Sequence, residues 1–168
     1  DPASIDTATG ASASCSRVRA SYCSVSGPAR CSGRASLGNA GPASAPLHPA
    51  ADPNVIAVTA TDAEDRVYVR ANRGSHIAVA APGVDVLAAE PEGRYVFSSG
   101  TSIAAAHVSG LVALVLEKRP ELDVTAMRRL LTETAVDLGS RGRDPVYGAG
   151  RIDAAAALSR AQPLTASR

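Results

Sequence analysis

Four consecutive residues, Ser99-Gly100-Thr101-Ser102, stand directly before a long run of helix formers. A serine in the first turn of a helix lies among backbone N–H groups that lack intrahelical acceptors, at the positive end of the helix dipole. Both features favour the negative oxygen that forms when a hydroxyl adds to a carbonyl carbon. Gly100 has no Cβ, so the chain and a substrate can approach closely. Ser102 is therefore a candidate nucleophile for acyl transfer. The same residues also suit a plain helix N-cap, and local sequence alone favours that reading. Nucleophilic serine chemistry further needs a base to take the hydroxyl proton. The chain has three histidines, His48, His76 and His107. His107 follows Ser102 by five residues on the same helix, which places it more than a turn away. His48 lies in Leu47-His48-Pro49-Ala50. His76 precedes a strand-like run, where exposure is expected. Asn39, in Gly38-Asn39-Ala40-Gly41-Pro42, reads locally as a turn residue.

The elements that would position these groups are punctuated clearly. Val55-Ile56-Ala57-Val58-Thr59-Ala60 and His76-Ile77-Ala78-Val79-Ala80 are short β-branched apolar runs that read as buried strands. Pro82-Gly83 stops the second. Arg94 to Ser98 reads as a short strand or extended approach. From Ser102 to about Lys118, apolar residues fall on nearly every side, which predicts a buried helix. Lys118-Arg119-Pro120 ends it. A second helix is expected from about Val124 to Ala135, with Val124, Met127, Leu130 and Leu131 as its apolar stripe. Gly148 to Ile152 reads as a turn and short strand. Asp153 then caps a small Ala-rich helix reaching about Arg160.

Two alternative chemistries fail on spacing. Gly100-Thr101-Ser102-Ile103-Ala104 has Ala where the elbow of an α/β-hydrolase requires Gly. Gly148-Ala149-Gly150 is followed three residues later by Asp153, not the Gly of a dinucleotide loop.

The order of the motifs resembles that of subtilisin-like serine peptidases, the subtilases. The resemblance runs through Gly38-Asn39-Ala40-Gly41, Pro49-Ala50, Asn54-Val55-Ile56-Ala57-Val58, Ala81-Pro82-Gly83 and Ser99-Gly100-Thr101-Ser102 with His107 and Gly110. It continues through Thr134-Ala135-Val136-Asp137-Leu138-Gly139 and Tyr147-Gly148-Ala149-Gly150-Arg151-Ile152-Asp153-Ala154, so it covers about Gly38 to Leu158. It implies an α/β fold: the C-terminal portion of a three-layer domain with a mostly parallel sheet flanked by helices. It implies serine endopeptidase chemistry on polypeptide substrates through an acyl-enzyme. Carried over residue by residue, it makes Ser102 the nucleophile and Asn39 a side-chain donor to the oxyanion, while His107 matches a structural histidine. Calcium is common in the family, yet no dense carboxylate cluster is readable here. A secreted or periplasmic location follows from the resemblance alone. Ile103 and Ala106 depart from the Met and Pro that relatives commonly carry at these places.

The family's base occurs in a His-Gly-Thr context, which none of the three histidines has. Its acid follows an apolar strand, whereas Asp6-Thr7-Ala8-Thr9-Gly10 lacks one. The chain taken alone is thus expected to be inactive as a peptidase. The alternatives are an inactive remnant and a peptide-binding or interaction module.

Residues 1–37 contain no Lys or Glu, and no Leu before Leu37, while Ser, Ala, Arg and Cys dominate. An irregular segment is expected there, with a partial catalytic domain at 38–158 and a frayed tail at 159–168. Truncation with a divergent N-terminal segment and an upstream shift of reading frame both remain open as explanations of this segment, and the abrupt change at Leu37 favours the second. Cys15, Cys23 and Cys31 match no zinc spacing. The formal net charge of +1 gives no reason to expect nucleic acid. No apolar run is expected to be long enough to span a bilayer.

Overall fold

The computed structural model describes residues 34–162. Cys15, Cys23, Cys31 and the Asp6–Gly10 stretch lie outside the described residues. Three strands, β1 (Arg34–Ser36), β2 (Ile56–Thr61) and β3 (Ile77–Pro82), form a parallel sheet in that order. Strands β4 (Val86–Glu90) and β5 (Arg94–Ser98) form a separate antiparallel hairpin, joined by a 3-10 turn at Pro91–Gly93. Three helices follow: α1 (Thr101–Lys118), α2 (Val124–Glu133) and α3 (Ala154–Arg160). This is an α/β arrangement with a mostly parallel sheet.

Strand β2 is buried along its whole length. Successive side chains of a strand point to opposite faces. Ile56, Val58 and Ala60 join one apolar cluster with Ala104, Val108, Leu111, Val112 and Val115 of α1. Ala57 joins a second cluster with Ile77, Ala35, Leu37 and Ala50. Small residues in β2 and β3 let α1 lie close across all three strands. Burial of each Val, Leu or Ile side chain contributes about 1.5–3 kcal/mol. Helix α2 packs on β3 and α3, with Met127 and Leu131 fully buried. Its Asp123 cap accepts from Ala126 N–H at 2.7 Å. Arg128 reaches out of α2 to the carbonyl of Pro53 at 2.7 Å, tying the helix to the approach into β2.

Several expectations change. Arg34–Ser36, placed in the irregular segment, is a strand, with Ala35 and Leu37 buried. Its ladder uses backbone groups against β2, so no alternating apolar pattern was needed. At the other end, α3 runs to Arg160 and Ala161 is buried, past the 158 boundary. Asp153 caps α3 as expected, accepting from Ala156 N–H at 2.9 Å. Helix α1 is not buried all round. Ser102, Ala106, His107, Gly110, Ala113 and Leu114 are exposed, because no described element packs on that face. Helix α1 is also long and apolar enough, by length and composition, to cross a membrane. Its six buried residues lie instead in the folded interior.

His76 is half-buried rather than exposed, and its Nε2 is buried without a partner among the described residues. Arg143 donates to the carbonyls on both sides of it, Ser75 at 2.9 Å and Ile77 at 2.8 Å. Burial, and then the Arg143 charge, hold the imidazole below its ordinary pKa. A group depressed in the folded state contributes stability above its unfolded pKa, and loses it as pH falls through the folded value. The melting temperature should therefore fall more steeply below about pH 6.5 in the wild type than in His76→Gln. Parallel melting curves from pH 7.5 to 5 check this; identical slopes would contradict it.

Candidate active site

The site is built where the hairpin hands over to α1. Gly100 N–H donates to Gly83 O at 2.7 Å, tying the turn before α1 to the end of β3. Ser99 Oγ accepts from Asp85 N–H at 2.8 Å and donates to Asp85 Oδ1 at 3.1 Å, which fixes the last residue of the hairpin arm. The chain therefore enters α1 in one defined direction.

The first turn of a helix leaves its N–H groups without intrahelical acceptors. Here they are met one by one. Ile103 and Ala104 N–H both donate to Gly100 O, at 3.1 and 3.4 Å. Thr101 N–H donates to Oδ1 of Asn39 at 3.0 Å, from a loop 62 residues earlier. Asn39 thus acts as a distant cap. Ser102 N–H is the exception: among the described residues it has no acceptor.

The Thr101 contact also settles which way the Asn39 amide points. A backbone N–H can only donate, so the atom facing it must be the oxygen. Thr101 Oγ1 donates to the same Oδ1 at 3.1 Å and accepts from Gly38 N–H at 3.2 Å. Asn39 Nδ2 therefore faces away from Thr101, toward Gly100. A Cβ placed on Gly100 would stand 3.4 Å from Asn39 Nδ2 and 3.4 Å from Ser102 Oγ. Glycine keeps the space between those two atoms open. Ser102 itself is exposed.

The structure brings together Asn39 and Ser102, the two sequence-based candidates. It brings no histidine to them. His107 Nδ1 is 3.1 Å from the carbonyl of Ile103, and His76 lies at the start of β3. No described histidine is hydrogen-bonded to Ser102. Thr101 was visible only as part of a motif, and its two-way hydroxyl is the contribution the sequence did not single out. Among the described residues, no group of three or more His, Cys, Asp or Glu is placed to hold a metal ion. Asp144 spends its oxygens on the N–H groups of Val146, Tyr147 and Ser140, and Asp137 accepts from Gly142.

Comparison with known proteins gives this geometry a lineage. The family model described as the subtilase family matches residues 20–150. The chain belongs to the subtilase family. The match begins at residue 20, within the segment that composition set apart as irregular. Subtilisin BL of Lederbergia lenta is 38% identical over 123 residues, which are 73% of this chain and 44% of that protein. The thermophilic serine proteinase of Bacillus sp. (strain AK1) is 38% identical over 115 residues, 68% of this chain and 28% of that protein. Among solved structures, fervidolysin of Fervidobacterium pennivorans, a keratinolytic enzyme related to subtilisin, superposes with a TM-score of 0.69 at 32% identity. That match covers 80% of this chain and 23% of fervidolysin. This subtilase chain thus spans less than half the length of these relatives.

Proposed function

We propose that Ser102 and Asn39 are the nucleophile and the oxyanion-binding half of a serine endopeptidase centre acting on polypeptides. The observation that carries the reading is a pair of donors, Ser102 N–H and Asn39 Nδ2, that have no acceptor among the described residues and stand beside the exposed Ser102. In the reaction, Ser102 Oγ bonds to the scissile carbonyl carbon, and the carbonyl electron pair moves onto oxygen. Those two donors receive the oxyanion, and the hydroxyl proton leaves to a base. Collapse of the intermediate expels the amine and leaves an acyl-enzyme, which water then hydrolyses. The base and its orienting acid are not at the site among the described residues. A secreted or periplasmic setting rests on the family resemblance alone.

Triad members act as a unit, so absence of the base lowers turnover by about 10⁴- to 10⁶-fold. The chain alone should hydrolyse no peptide above background. A fluorophosphonate probe should label Ser102 slowly, as the hydroxyl displaces fluoride from phosphorus. Added imidazole should accelerate the labelling by accepting the proton. Labelling rates over a series of imidazole concentrations test this. Rapid labelling without imidazole would show a base already in place and contradict the reading of an incomplete centre.

A further inference from the structure

Asn39 stands on a loop, and a single residue holds that loop on both sides of it. Asn72 N–H donates to Gly38 O at 3.1 Å. Asn72 Oδ1 accepts from Ala40 N–H at 2.9 Å, across 32 residues of sequence. The residue before Asn39 and the residue after it are therefore clamped by the same asparagine. Gly38 is shaped by this approach. It has φ +104°, and a Cβ there would stand 2.7 Å from Asn72 Nδ2.

Asn72 is an expensive way to fill this position. It is fully buried, and its Nδ2 has no partner among the described residues. A buried polar group without a partner destabilises a fold, whereas an apolar residue of similar bulk does not. What sets Asn72 apart is the acceptor it offers to Ala40. That acceptor reaches the site through a short chain of bonds. Asn72 holds Gly38 and Ala40, these carry Asn39, and Asn39 Oδ1 takes Thr101 N–H and hydroxyl. Gly38 N–H closes the ring by donating to Thr101 Oγ1.

We propose that Asn72 is a positioning residue for Asn39: by clamping Gly38 and Ala40, it fixes the side-chain amide with Oδ1 on Thr101 and Nδ2 toward Gly100. This rests on the reading of Asn39 as the oxyanion donor. Asn72 acts only through Asn39 and touches no reacting atom.

The test follows Thr101 N–H and the Asn39 side-chain amide by NMR in the ¹⁵N-labelled chain. Neither group is hydrogen-bonded to Asn72. Asn72→Ala and Asn72→Leu remove the acceptor, and the leucine keeps the bulk. Asn72→Asp keeps an acceptor for Ala40. Leu131→Ala, in the fully buried face of α2, is the control for general destabilisation. In the alanine and leucine variants, the exchange protection of Thr101 N–H should fall at least tenfold further than in Leu131→Ala. The two Asn39 Nδ2 proton signals should move toward the shifts of a free amide. Asn72→Asp should restore both. Protection and shifts that stay unchanged, or that fall only as far as in Leu131→Ala, would overturn the proposal. So would an aspartate variant as loose as the leucine one, or failure of both acceptor-less variants to fold, since either makes Asn72 a general structural residue. These readouts involve no substrate. If Asn39→Asp leaves phosphonylation of Ser102 unchanged, the oxyanion reading fails while the clamp on the loop stands or falls by itself.

Discussion

Asn39→Asp should slow the imidazole-assisted phosphonylation of Ser102 on the order of 10²-fold, a size known for loss of the equivalent donor in a subtilisin and carried over from that relative. Its melting temperature should change little. The separation follows from the two ends of one amide. Oδ1 caps α1 through Thr101 N–H, and an aspartate keeps that acceptor. Nδ2, which has no partner among the described residues, is the end beside Gly100, and an aspartate replaces it with an oxygen that repels the developing anion. Asn39→Ala loses both ends. It should slow labelling to a similar degree and also destabilise the fold by about 0.5–2 kcal/mol, the usual worth of a helix cap. Thermal melts and labelling rates on the three proteins check this. Equal labelling by wild type and Asn39→Asp would exclude Asn39 as an oxyanion donor.

Gly83→Ala should damage stability and site together. Its added Cβ would stand 2.8 Å from Ala60 Cβ, 2.8 Å from Gly100 O and 3.0 Å from Ala104 Cβ. Overpacking of this kind costs about 1–3 kcal/mol, and the cost is toward the upper end where backbone must move. The backbone in question is that of Gly100, whose N–H is also bonded to Gly83 O. The shift passes directly into the turn that presents Ser102. A displacement near 1 Å can slow a positioned reaction by about 10²-fold. Gly110→Ala is the contrast. Nothing stands within 4 Å of a Cβ there, and it lies in the exposed face of α1, so it should stabilise by about 0.5–1 kcal/mol and leave labelling intact. Denaturant melts with labelling rates separate the two. Unchanged labelling in Gly83→Ala would mean that the Gly83 contact does not set the position of Ser102.

These contacts show which parts of the molecule a reader of the sequence can reach. Strands β2 and β3 and all three helices are legible because each is set by local pattern. β-branched runs mark the strands, and Asp153 and the Lys118-Arg119-Pro120 stop mark helix ends. Strand β1 is not legible, since Arg34-Ala35-Ser36 carries no strand pattern and is held by its ladder to β2. Strand β4 is not legible for a related reason. Leu87 on one strand and Tyr95 and Phe97 on its partner are exposed, so the hairpin shows no clean alternation of buried and exposed residue types. The open face of α1 was also hidden, because an apolar helix reads alike whether or not a neighbour covers it.

At the site, Ser102 and Asn39 could be named only because a family order surrounds them. Locally one reads as a cap and the other as a turn. The structure adds that Asn39 is the cap of α1, and that this role orients its amide. Thr101 was within a recognised motif, but the bonds that define its part run 62 and 63 residues back. Asn72 gave no local signal, because its role exists only across the fold.

A serine-directed reagent reports directly which serine is the nucleophile. The most direct measurement is a peptide map of the fluorophosphonate-treated chain, with imidazole present, beside Ser102→Ala. Nearly all the label should lie on the peptide carrying Ser102, and the alanine variant should take up almost none. Label spread over the exposed serines, or undiminished in Ser102→Ala, would show that the open pair of donors at the start of α1 does not make Ser102 a nucleophile.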